Sequence, residues 1–97
     1  MPHYILLINW TEQGLNKIKE SSDRYNSFKA SVEKAGGKFI GGYYTFGEYD
    51  VVIIIEAPND EIVMSLMLKV GSAGNVKTKT LRAFGAEEGM KIINDLS

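Results

Sequence analysis

Cysteine is absent from this 97-residue sequence, histidine and tryptophan occur once each, and there are only two prolines. Without cysteine there is no disulfide framework, no thiol nucleophile and no cysteine-held metal, a usage at home in a reducing cytoplasm. The one histidine, His3, makes neither a metal centre nor, with no placed nucleophile, a catalytic triad. No charge of one sign dominates either. Eleven Lys and Arg face twelve Asp and Glu for a net charge of −1, so bulk electrostatics gives no reason to expect nucleic acid or an anionic membrane as partner. Long hydrophobic runs are missing too. The opening MPHYILLINW has no basic start and is too short for a signal or a membrane span.

What is present is an ordinary globular composition, 44 % hydrophobic and 24 % charged, at a length that predicts one domain over residues 1–97. The chain is organised around Phe39 to Pro58, an apolar run, a turn at Gly47 and a block rich in Val and Ile. That pattern reads as a β-hairpin. Before it, His3 to Trp10 is the first strand and Thr11 caps a short helical turn from Gln13 to Ile18. Ser21, Ser22 and Asp23 offer fresh caps, so the main helix is expected from about Arg24 to Ala35, ended by Gly36 and Gly37. After the hairpin, Asn59 or Asp60 caps a second long helix. Val76 to Phe84 is a fourth strand, and Glu87 to Leu96 a terminal helix.

This order, βαββαβ plus a C-terminal helix, specifies an α+β, ferredoxin-like fold with a four-stranded antiparallel sheet. Strands one and three are expected in the middle, and Lys77 and Lys79 on strand four suit an edge. Two helices cover one face of such a sheet, and the other should alternate to polar residues. It does not: Ile5, Leu7, Val52 and Ile54 make the second face apolar as well, and simple alternation on strand two sets Phe39 and Tyr43 against Ile40 and Tyr44. A face of four strands spans on the order of 350 Å², a patch of the size that marks an interface. The cover expected is a second copy; the alternative is the terminal helix folding back within the chain.

Gly47-Glu48-Tyr49-Asp50-Val51-Val52 and Glu56-Ala57-Pro58 resemble the signature of the GYD-domain family, as do Gly36-Gly37-Lys38, Gly74 to Thr78 and Thr80 to Ala83. The resemblance implies a small bacterial or archaeal protein of the dimeric α/β-barrel type. That group includes monooxygenases, haem proteins and effector-binding domains. It supplies no catalytic set to carry over, and Gly41-Gly42 stand where bulkier strand residues are expected.

Six side chains are candidate ligand contacts: His3, Trp10, Tyr44, Tyr49, Asp50 and Arg82. Aromatic walls with a carboxylate and phenol hydroxyls would suit a pocket mouth at the hairpin. Each also has a structural reading. His3 suits a rim, Trp10 a core and Asp50 a cap on loop amides. Arg82 could hold a ligand carboxylate or pair with Glu56 or Asp50. The sequence names no metal site and no cofactor. It supports a cytoplasmic homo-oligomer that binds a small molecule between sheet and helices. The alternatives are a cofactor-free oxygenase or isomerase, whose few polar groups a motif search would miss, and a purely structural subunit. Whether the chain is an enzyme stays open.

Overall fold

The strand pattern above becomes a mixed helix–strand chain in the computed structural model, which describes residues 1–96. In order these are β1 (His3–Trp10), α1 (Glu12–Asn16), a 3-10 turn (Ile18–Glu20), α2 (Ser21–Lys34), β2 (Lys38–Tyr44), β3 (Val51–Glu56), α3 (Asp60–Ser72), β4 (Val76–Ala83) and α4 (Ala86–Asn94). Thr11 caps α1 by accepting from the Gly14 amide, and Asn59 caps α3 by accepting from the Ile62 amide. Both satisfy amides that a helix start leaves without a partner. The long helix α2 begins three residues before the expected Arg24. The 3-10 turn delivers Ser21 already in helical geometry (φ −58°, ψ −40°), so no new cap is needed.

The strands form an antiparallel sheet in the order β2-β3-β1-β4, a ferredoxin-like arrangement with helices. The expectation of a dimeric α/β-barrel is corrected by this sheet. It is open, with β2 and β4 as its two edges and no pairing between them. An apolar second face requires a cover, but it does not require the strands to close on themselves.

Alternation along β1 and β3 sends Tyr4, Leu6, Ile8, Val51, Ile53 and Ile55 toward the helices, where they form the buried core with Val32 of α2 and Val63 of α3. Leu6, Ile55 and Val32 are the largest side chains with essentially no exposure. A bulge between Phe39 and Gly41 shifts the β2–β3 register. Phe39 therefore shares the helix face with Gly42 and Tyr44, whereas simple alternation would have put Tyr43 there. Such a one-residue slip exchanges the faces of everything beyond it.

The face away from α2 and α3 carries Ile5, Leu7, Val52 and Ile54, with Tyr43 of β2 and Leu81 of β4 exposed on its flanks. The terminal helix does not fold back over it. No residue of α4 is buried, and α4 packs extensively against no other element. The molecule is accordingly drawn out, 53 × 31 × 18 Å. Among the described residues no helix is long and apolar enough to cross a membrane.

Candidate functional site

The long helices sit toward opposite edges of the sheet, α2 against β2 and α3 against β4. Between them a cleft of about 380 Å³ opens over β1 and β3, within the usual range for a small-molecule site. Its floor is Ile8, Val51 and Ile53, and its α3 wall is Leu66, Met67 and Val70. The other wall is aromatic. Tyr44 stacks between Trp10 (centroids 6.2 Å apart) and Tyr25 (6.3 Å), and Tyr25 meets Phe39 edge-on at 5.2 Å. This ladder exists because Gly42 has no side chain. A Cβ there would lie 2.5 Å from the Tyr25 hydroxyl and 2.7 Å from its ring.

Polar groups from several elements also line the cleft. The Tyr44 hydroxyl lies 3.1 Å from Ser21 Oγ, and Arg24 Nη1 donates to the Lys17 carbonyl at 3.1 Å. Nη2 of Arg24 is buried without a partner, so part of the guanidinium's hydrogen-bonding capacity is unused. Asp23, Ser27 and Asn75 also contribute to the lining. An apolar slot whose walls also carry Glu20, Asp23, Arg24, Lys69 and hydroxyls can hold a planar or apolar small molecule and orient its polar part.

Of the six candidate residues, the structure brings Trp10 and Tyr44 together in this cleft. Asp50 stands behind Trp10, accepting from the Trp10 amide at 3.0 Å and from Asn9 Nδ2 at 3.3 Å. It ties the end of β1 to the start of β3. Tyr49 lies elsewhere, its ring 5.8 Å from the Lys79 ammonium, and its carbonyl accepts from Thr45 Oγ1 at 2.6 Å. His3 is on the open face with Nε2 3.8 Å from Glu56.

Arg82 pairs with neither Glu56 nor Asp50. Its guanidinium lies over the rings of Phe84 (4.5 Å) and Tyr4 (5.7 Å) and donates to the Ala83 carbonyl. It borders a second hollow, between α3 and β4, with Tyr4, Asp60 and Thr80. There the Tyr4 hydroxyl donates to Asp60 Oδ1. Burial, then the Asp60 carboxylate as acceptor and neighbouring charge, push the Tyr4 phenol up to about 12. Among the described residues no three His, Asp or Glu side chains cluster as a metal site.

The residues not found by sequence reasoning are those of the helices: Arg24, Tyr25 and Phe28 on α2, and Leu66 and Met67 on α3. Tyr25 and Phe28, like Leu66 and Met67, belong to apolar stripes at spacings of three and four that mark them as sheet-facing. Arg24 instead reads as a solvated or interface residue, and no local signal says that the two helices leave a gap. Gly42, a small residue in a strand, is the one sequence mark of a close approach.

A family profile described as "GYD domain" matches residues 4–93. A Thermus thermophilus protein described as "Glutamine synthetase and cystathionine beta-lyase binding protein" is 32 % identical over 84 residues, covering 86 % of this chain and 88 % of the relative. The crystal structure of TTHA0845, also from Thermus thermophilus, shares the fold. It superposes with a TM-score of 0.56 at 20 % identity, covering 89 % of this chain and 96 % of that one.

Proposed function

Because this chain belongs to the GYD domain family, a membership that brings no catalytic set with it, we propose that it is a self-associating domain that binds a small molecule in the cleft between the sheet and α2 and α3. The single observation that carries the reading is the aromatic wall Trp10–Tyr44–Tyr25 beside a buried guanidinium nitrogen without a partner. Aromatic faces hold planar apolar matter, and the Arg24 guanidinium in the lining favours an accepting group on the ligand. The open apolar face supports self-association, since a patch of that extent usually marks an interface. A single cytoplasmic domain over residues 1–97 fits this role.

Native mass spectrometry before and after denaturation, on protein purified without added ligand, tests the cleft. A retained small molecule released on unfolding supports the reading. Trp10 is the only tryptophan, so its emission reports occupancy directly. Candidate aromatic carboxylates that leave it unmoved, together with a mass spectrum free of any adduct, would count against a binding role.

A second reading takes its support from the relative described as binding glutamine synthetase and cystathionine β-lyase. On it, the exposed apolar surface receives another protein, and the cleft is a packing gap. Pull-down with those two enzymes as purified baits separates the readings, because a protein partner would bind a Tyr25→Ala variant as well as wild type.

A further inference from the structure

Among the described residues, two apolar surfaces are not covered by any other element, the open sheet face and the terminal helix. In α4, Met90, Ile92 and Ile93 fall on one side at 100° per residue, with Leu96 just beyond the helix end. Glu87, Glu88, Lys91 and Asp95 fall on the other. We propose that α4 is an exchange arm, which packs its apolar side on the open sheet face of a second copy of this chain and receives that copy's α4 in return. This rests on the self-association reading above and names the elements that meet.

Area supports the second copy as occupant. Met90, Ile92, Ile93 and Leu96 stand 54, 50, 64 and 74 % exposed. At about 200 Å² for a large side chain, they leave on the order of 500 Å² of arm open to solvent. The sheet face offers on the order of 350 Å². Neither alone reaches the roughly 800 Å² that each partner contributes to a standard stable interface, but the two together do. A two-fold dimer uses both at once, since each copy gives an arm and a face.

Charge supports it as well. The arm is acidic, with Glu87, Glu88 and Asp95 against Lys91. The open side of β4 presents Lys77 and Lys79, and Lys38 faces the same way on β2. Glu56, the acid on that face, lies beside His3. The arm's acids lie on the side of α4 away from the covered face, so they act as long-range steering toward a basic-flanked sheet and not as contacts across it. The arm covers an open sheet with a helix and closes no barrel.

The natural lack of cysteine makes a direct test available. The 97-residue chain is examined by sedimentation equilibrium up to about 100 µM, with wild type expected to dimerise with a micromolar Kd. Ile93→Lys on the arm and Leu81→Lys on the face should each weaken the dimer at least about 100-fold, while far-UV circular dichroism stays that of wild type. Mixing isotope-labelled Ile93→Cys with unlabelled Leu81→Cys should give a disulfide joining one heavy and one light chain. A wild-type dimer that Ile93→Lys leaves intact, with no heavy–light product, overturns the arm and leaves self-association standing. A monomer at every concentration overturns both.

Discussion

Adjacent glycines on β2 should respond oppositely to the same methyl group. At Gly41 an added Cβ meets nothing within 4 Å, whereas at Gly42 it would lie 2.5, 2.7 and 3.0 Å from the hydroxyl and ring of Tyr25. Neither position needs a positive φ, so backbone strain is not the difference. Gly→Ala at a compatible site stabilises by about 0.4–1 kcal/mol through the unfolded chain, and Gly41→Ala should do that. Gly42→Ala gains the same term but must displace a ring held by Phe39 and Tyr44, an overpacking cost of about 1–3 kcal/mol. Relative to Gly41→Ala the expectation is a deficit of about 1–3 kcal/mol, which in a domain of this length separates the two Tm values by about 4–24 °C. Thermal unfolding by far-UV circular dichroism reads the stability, and Trp10 emission, two rings from Tyr25, should change in Gly42→Ala alone. Equal midpoints for the two variants would refute the close packing of α2 on β2.

Three further outcomes follow from other contacts. At Gly14, which is buried, a Cβ would overlap the Asn75 carbonyl, a backbone atom that also accepts from the Thr11 amide at 3.1 Å. Gly14→Ala should therefore cost about 2 kcal/mol or more in urea unfolding. Tyr4 has its phenol raised to about 12 by burial and by Asp60, so its folded-state pKa exceeds the unfolded value of about 10. Its contribution is complete below pH ~10 and is lost as pH rises toward 12, at most about 2–3 kcal/mol. The alkaline fall in stability should be shallower in Tyr4→Phe. Asp50→Ala removes the acceptor of the Trp10 amide and of Asn9 Nδ2 and should cost about 1–3 kcal/mol, measurable by the same unfolding curves.

Much of the fold can be read from the residue pattern because the determining interactions are local. Thr11 and Asn59 act as the caps their chemistry suggests, and β1 runs from His3 to Trp10 as its apolar run indicates. The start of α2 is misread for an equally local reason. Ser and Asp are strong caps, but the preceding 3-10 turn already supplies helical geometry. The bulge at Ile40 is marked only by the glycines that follow it, and it moves Tyr44, not Tyr43, into the cleft. The cleft itself depends on how far apart α2 and α3 settle, a tertiary distance that neither helix encodes alone. Arg24 shows this well: its role depends on the Lys17 carbonyl seven residues earlier, across the turn. The barrel expectation failed differently. It came from a family resemblance, and the apolar second face of the sheet was compatible with more than one kind of cover.

The central claim is that the cleft beside Trp10, Tyr25 and Tyr44 is a binding site, and retained ligand tests it most directly. Native mass spectrometry of wild type beside Tyr25→Ala should show an adduct on the folded wild-type chain that is lost on denaturation and depleted in the variant. An adduct carried equally by both proteins, or found on neither, would contradict it.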